Sequence, residues 1–372
     1  MVSAPTVSGQ PVGGRAALRL VDVLACVRCL AETASTLPLA AYRRLPDEGR
    51  QRLTSGKLYD LLEAPAPAVT QSNLIGQMVS ALACNGNTFV GKFRNGDGQI
   101  EQLGVLPGGA VTVQIVGGEP LYRYWPAYPQ TTGEERTLTA RDVLHVRLPV
   151  TDELGVLGLS PLRQAREALG LAKALEVEDA STVANSSTPL GIGTVTPGPG
   201  ADDLVENLKQ GFEARHRGAE NRGRMAFVTG EVKFSALSIS PLDAQFVERR
   251  QLSTVEIARL FRVPPWMIGA KSGDSHTYSN VEGQSRSFLT FSLSPYLVAV
   301  EQAVSNDPDL CAGNVFVEFL RDAILTANTT ERFAAYAVAL GNPTTGAQGW
   351  MTVDEVRQRE NLPPLNAPQV AE

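Results

Sequence analysis

Two Ser-Pro dipeptides, Ser160–Pro161 and Ser240–Pro241, constrain this chain more than any other feature, because each opens a long run of good helix formers. Serine is a favoured N-cap, and proline suits the first helical position, where its missing N–H costs nothing. The first run predicts a helix from Pro161 to about Ser187, roughly 40 Å long at ~1.5 Å per residue. Its apolar residues Leu162, Ala165, Ala168, Leu169, Leu171, Ala172 and Leu175 are aliphatic or small and cover much of the circumference. Such a helix suits close packing against copies of itself, or simply the core of a monomer, since alanine is the best helix former. The stretch "TPLGIGTVTPGPG" breaks it. The second run carries Phe246, Ile257, Leu260 and Phe261 and stops at Pro264 and Pro265, because proline excludes the residue before it from helical conformation. Two long helices therefore bracket an excursion that holds a short charged helix to about Arg217 and two strand-like runs, "RMAFVTG" and "VKFSALSI".

Upstream, Leu20, Val23, Leu24, Val27, Leu30, Ala31 and Ala34 recur at helical spacing, which predicts a helix over Ala17 to Leu37 with one buried stripe. A loop and a second helix, Asn73 to Gly86, follow. Short alternating runs then predict strands over Asn87–Arg94, Ala110–Val116, Leu121–Pro126 and Asp142–Leu148. Downstream, Leu289, Leu293, Tyr296, Leu297, Val300 and Val304 mark an amphipathic helix interrupted by Pro295, which should kink it by clashing with the Phe291 carbonyl. A strand "NVFVEFL", a helix over Thr329 to Leu340 and a last helix opened by a Thr352/Glu355 capping box complete an α+β chain.

Composition narrows the function classes. With 372 residues, two or more packed units are expected. The 43% hydrophobic and 19% charged content is that of a folded, water-soluble chain, and no run approaches the ~18 apolar residues of a membrane span. The start, "MVSAPTVSGQPVGG", has neither the basic region nor the apolar core of a secretory signal, so assembly in a cytosol is expected. Cys26 and Cys29 form one CxxC within a helix, Cys84 and Cys311 stand alone, and His145, His216 and His276 are scattered. A zinc site needs about four converging ligands, so buried reduced thiols, with no metal or cofactor, are expected. A formal charge of -6 argues against a tight, global grip on DNA.

Catalytic motifs do not assemble. "GAKS" at Gly269–Ser272 lacks the glycine that a phosphate-binding loop needs before its lysine. "GDSH" at Gly273–His276 holds the residue types of a hydrolytic triad, but consecutive side chains diverge, whereas a triad converges from separate segments. Neither G-x-S-x-G nor H-E-x-x-H occurs. A hydrolytic or nucleic-acid-processing enzyme using residues 273–276 is the disfavoured alternative.

The segments "VDVLACVRCLAETASTLPLAAYRR", "GNTFVGKFRNGDGQIEQLGVLPGGAVTV", "DVLHVRLP", "GLSPL", "LDAQFVERRQLSTVEIARLFRVPPWMIG", "TYSN", "LSPYLVAVEQAV" and "MTVDEVRQRENLPPL", in this order, resemble the HK97-like portal proteins of tailed bacteriophages. The resemblance spans roughly Leu18 to Leu365. It implies a portal fold: an α+β wing over 1–159, a first stem helix over 160–187, a small α/β clip over 188–241, a second stem helix over 242–264 and a tunnel loop over 265–280. A long kinked wing helix with a returning strand would occupy 281–328, and a helical crown with its tail 329–372.

In function it implies a ring, commonly a dodecamer, at one capsid vertex of a virion, built in the host cytoplasm. Such a ring nucleates capsid assembly, passes double-stranded DNA without reading its sequence, and joins head to tail. The implied partners are the large terminase, the head-tail connector and the major capsid protein or scaffold; no membrane and no catalysis by this chain are expected. The resemblance places Lys271, Ser272, Asp274, Ser275, His276 and Tyr278 at the DNA channel. Arg249, Arg250 and Arg259 on the second stem helix are spaced as phosphate contacts or as surface ion pairs. Asp202, Asp203 and Glu206 against Arg215, Arg217, Arg222 and Arg224 form an acid-to-base progression in the clip, suited to a charged partner or to solvent.

Overall fold

The computed structural model describes residues 6–10, 12–46, 49–126, 134–185, 191–195, 232–236, 242–270, 278–321, 329–342, 347–359 and 365. After a single turn, α1 (Gly14–Ala17), helix α2 (Val21–Ser35) buries Val23, Cys26, Val27, Leu30, Ala31 and Ala34. Leu24, expected on that stripe, is instead 43% exposed. The region expected as a loop holds strands β1 (Leu39–Arg44) and β2 (Arg50–Arg52) and helix α3 (Lys57–Glu63). Helix α4 (Gln71–Asn85) is capped by Thr70, whose Oγ1 accepts from the Asn73 N–H at 3.3 Å. It ends at Gly86, whose positive φ of 71° supplies the left-handed C-cap residue. Helices α2 and α4 pack together at the centre of the main core.

Among the described residues, three three-stranded antiparallel sheets accompany this helix pair. Strands β3 (Asn87–Arg94), β4 (Ile100–Leu106) and β8 (Val143–Arg147) are ordered β4-β3-β8. Strands β5 (Val111–Val116), β6 (Glu119–Tyr124) and β7 (Arg136–Leu138) form a meander whose Val111 and Tyr122 join Phe89, Leu106 and Val143 in a satellite core. The third sheet sets β1 between β2 and β11 (Val315–Phe319), pairing residues 39–43 with 315–319. Chain ends far apart in sequence thus close one core.

The first long helix is broken at Ala165 into α5 (Pro161–Gln164) and α6 (Arg166–Asn185). Ser160 caps it as its position suggested: Oγ accepts from the Arg163 N–H at 3.3 Å and donates to the Cys84 carbonyl at 2.9 Å. Strands β9 (Gly191–Val195) and β10 (Val232–Ala236) pair antiparallel, and helix α7 (Leu242–Phe261) follows. Beyond Pro264, residues Pro265–Ile268 form a single 3-10 turn.

The helical run continues past Pro295 without a break, as expected, with one local feature the sequence did not announce. Helix α8 (Tyr278–Ser287) runs through a π-helical stretch, Phe288–Leu293, into α9 (Ser294–Ser305). Pro295 stands just past this stretch, in the first turn of α9, where the widened turn ahead of it accommodates a residue that has no N–H to offer and whose ring opposes the preceding carbonyls. The core residues expected here, Leu289, Leu293, Tyr296, Leu297, Val300 and Val304, are all buried. Helix α10 (Thr329–Ala339), a short ladder of β12 (Gly341–Asn342) with β13 (Ala347–Gln348), and α11 (Val353–Arg359) close the chain. The Thr352/Glu355 capping box forms: Glu355 Oε2 accepts from the Thr352 N–H at 2.7 Å, and Thr352 Oγ1 from the Glu355 N–H at 3.3 Å. No helix among the described residues is long and apolar enough to cross a membrane.

Candidate functional site

The candidate site is the junction at which helices α6 and α7 leave the α+β body. Helix α7 packs on α2, on α6 and on the turn after Pro264, burying Ile257, Ala258 and Phe261. Thr254 Oγ1 donates to Asp22 Oδ2 at 2.9 Å, tying α7 to the start of α2. Helix α6 turns Leu169 and Ala172 inward but leaves Ala168, Leu171 and Val177 exposed, the last two at 54% and 49%. Apolar side chains of α6 are therefore open in the isolated chain at several positions around the helix, and Leu252 on α7 is 58% exposed.

Where α6 begins, the body grips the chain through buried polar contacts. Asn87 Nδ2 donates to the Gly158 carbonyl at 2.7 Å, and its Oδ1 accepts from the Gly158 N–H at 2.8 Å. The backbones of Gly86 and Gly158 meet so closely that a Cβ on Gly158 would lie 2.1 Å from the Gly86 oxygen. Arg147 Nη1 donates to the Val156 carbonyl at 3.0 Å and also to that of Gly155, fixing the loop between β8 and α5. His145 Nε2 lies 3.0 Å from Asn87 Oδ1, which fits the neutral Nε2–H tautomer. Burial first and the Arg147 charge second push its pKa down to about 4. A cleft of about 980 Å³ runs beside this clamp, lined by His145, Arg147 and Thr151 on one wall and by Ser294, Val298 and Gln302 of α9 on the other.

The far end of α9 is fixed by charge. Lys92 Nζ, 1% exposed, donates to Asp307 Oδ2 at 2.7 Å and Asp309 Oδ2 at 3.3 Å, while Arg94 Nη2 reaches Asp309 at 2.8 Å. Burial works against the Asp309 carboxylate, but hydrogen bonds and charge from Arg94 and Lys92 outweigh it and hold it below the usual range.

The expected channel residues separate on this frame. Arg249, Arg250 and Arg259 are all exposed on α7. The last two are nine positions apart, so at ~100° per residue they leave opposite sides of the helix. Arg250 faces a cleft of about 120 Å³ that it shares with Asp22, Glu176 and Ser253. Tyr278 opens α8. Lys271, Ser272, Asp274, Ser275 and His276, and the clip residues Asp202, Asp203, Glu206, Arg215, Arg217, Arg222 and Arg224, lie outside the described residues.

The four cysteines are unpaired thiols. Burial is the main force raising their pKa values, to about 12 at Cys26 and about 11 at Cys84 and Cys311, which leaves them protonated and poor as nucleophiles or metal ligands. No group of three or more His, Cys, Asp or Glu converges to hold a metal among the described residues. Sequence reasoning passed over Asn87 and Arg147; the one local hint was "NGN" at 85–87 before a strand, a turn signal and not a site signal.

What these geometries share is support for a helix pair, not a reacting centre. Residues 21–361 match the family described as phage portal protein. The chain is 31% identical to the probable portal protein of Streptomyces phage phiC31, across 98% of this chain and 79% of that one. It is 26% identical to the portal protein of Enterobacteria phage HK97, across 95% of this chain and 81% of that one. In fold it is similar to a chain of the native gene transfer agent particle, with a TM-score of 0.62 at 23% identity over 97% of this chain and 96% of that one. It is also similar to the HK97 family portal protein from Corynebacterium diphtheriae, with a TM-score of 0.58 at 20% identity over 84% and 97% of the two chains. With family, curated relatives and fold in agreement over nearly its whole length, this chain belongs to the phage portal protein family.

Proposed function

We propose that this portal protein closes into a ring of twelve at one capsid vertex and forms the channel by which double-stranded DNA enters and leaves the particle. The family is structural and not an enzyme family. The observation that carries the ring is the set of exposed apolar side chains on the two long helices, Leu171 and Val177 of α6 and Leu252 of α7. A monomer gains nothing from that surface, whereas neighbouring copies bury it at about 25 cal/mol per Å² of apolar area. A structurally similar chain occurs in the neck of the native gene transfer agent particle computed with C12 symmetry, with a TM-score of 0.61, which supports twelve copies.

In this reading residues 1–159 form the wing, α5 with α6 and α7 the two stem helices, and residues 188–241 between them the clip. Residues 265–280 form the tunnel loop and 329–372 the crown. The clip, with Asp202, Asp203, Glu206, Arg215, Arg217, Arg222 and Arg224, docks the large terminase and later the head-tail connector. Lys271, Ser272, Asp274, Ser275, His276 and Tyr278 face the channel, and the wing meets the capsid protein or scaffold. Arg249 and Arg259 are the stem positions for passing phosphate contacts, since Arg250 shares its cleft with Asp22 and Glu176. Negative-stain microscopy of the purified protein tests the reading: closed rings with a central hole are expected, and their absence under every assembly condition overturns it.

A further inference from the structure

The sheet β11-β1-β2 carries a surface that none of the contacts above uses. Its register sets Tyr42 opposite both Arg52 and Phe316, and Arg44 opposite Arg50. Side chains alternate along a strand, so Tyr42, Arg44, Arg50, Arg52, Phe316 and Glu318 share one face, while Leu39, Ala41, Val317 and Phe319 belong to the core. On that face the Tyr42 and Phe316 rings stack with centroids 5.6 Å apart. The Arg44 guanidinium lies 5.2 Å from the Phe316 ring, and that of Arg50 lies 4.8 Å from the Tyr42 ring as it crosses β1 to pair with Glu318. Arg44, Arg50 and Arg52 are all exposed. Among the described residues, Glu318 is the one carboxylate paired with any of the three.

Like charges directly opposite each other weaken a strand pair, so Arg44 across from Arg50 is a cost the sheet bears. Stacking on the rings offsets part of that cost and restrains Arg44 and Arg50 before any ligand arrives. We propose that this face binds the phosphate backbone of nucleic acid. The planar fork of arginine matches phosphate oxygens. Arg50 and Arg52 are one strand repeat apart, and Arg44 is the direct neighbour of Arg50, so adjacent phosphates are met together. Contacts of this kind position a backbone without reading bases.

A carboxylate-rich peptide offers the same charge but fits the surface less well. Its strongest mode is to add a strand beside β2, and β2 has three residues with arginine at both ends. Short, charged edges resist strand addition. What the sheet presents is its flat face, which suits a stiff polyanion lying across it. Because the chain as a whole carries -6, the contact is local and should yield readily to salt.

The test is fluorescence anisotropy of a short labelled DNA duplex with the full chain across a salt series, comparing the native protein with Arg44→Ala/Arg52→Ala. The variant should lower the slope of log affinity against log salt by about 2, one for each lost phosphate contact. Its melting temperature should not fall, since both side chains are exposed and one like-charge opposition is removed. Arg28→Ala/Arg136→Ala removes the same charge from other surfaces and should leave the slope unchanged. Equal slopes for the native protein and Arg44→Ala/Arg52→Ala overturn the proposal, as does no duplex binding at low salt. Displacement of the duplex by polyglutamate at lower charge concentration also overturns it and assigns the face to an acidic protein. Ring formation is scored on the same samples by microscopy, so this surface and the ring reading stand or fall separately.

Discussion

Ser292 Oγ donates a 2.5 Å hydrogen bond to the carbonyl of Arg262, the residue that follows the last turn of α7. Arg262 has a φ of 57°, a left-handed conformation that a non-glycine residue adopts at a cost. Ser292 belongs to the π-helical stretch and is itself buried, so the widened turn delivers a donor to the strained end of the neighbouring helix. Ser292→Ala should destabilise the protein by about 1 kcal/mol, read as a lower denaturation midpoint with an unchanged slope. No loss would mean that the Arg262 carbonyl finds an equal partner in water.

Lys92 is held by two carboxylates at a nearly dry site. Removing one partner of a buried pair strands the other, at about 3–5 kcal/mol. Lys92→Met should therefore unfold at markedly lower denaturant concentration. Asp307→Asn should cost less, since the amide oxygen can still accept from the Asp309 and Leu310 N–H groups that Asp307 Oδ1 now serves.

His145 gives a pH dependence of definite sign. Its folded pKa of about 4 lies below the ordinary ~6.5, so the unfolded chain takes up the proton first. The contribution is complete above pH ~6.5 and is lost as pH falls toward 4, amounting to roughly 3 kcal/mol across that window. His145→Gln, which keeps a donor for Asn87 and removes the titration, should flatten the stability profile between those pH values in denaturant titrations. A profile as steep as the native one would place the dependence elsewhere.

The segment after Pro265 is where the channel reading meets its own test. Deleting Lys271 to Ser275 should leave rings intact under the microscope but lower the DNA packaged or retained per particle. His276→Ala should leave assembly unchanged. Normal packaging and retention by the deletion would remove the channel role of this loop.

Local signals were legible wherever local physics decides the outcome. The Ser160 cap, the Thr352/Glu355 box and the arrest of α7 before Pro264 each depend on residues within a turn of one another, and sequence alone determined them. The eight ordered segments likewise carried the family. Strand β1 was missed because its pairing with β11 joins residues about 275 positions apart, a register no window can hold. Leu24 was misplaced because a helix stripe is wider than the surface its neighbours cover. The π-segment before Pro295, the Asn87 grip on Gly158 and the arginine face over Tyr42 were decided by tertiary structure alone. Each arises when segments distant in sequence bring backbone or charge within a few ångströms, where close packing and unpaired polar groups leave a single satisfactory arrangement.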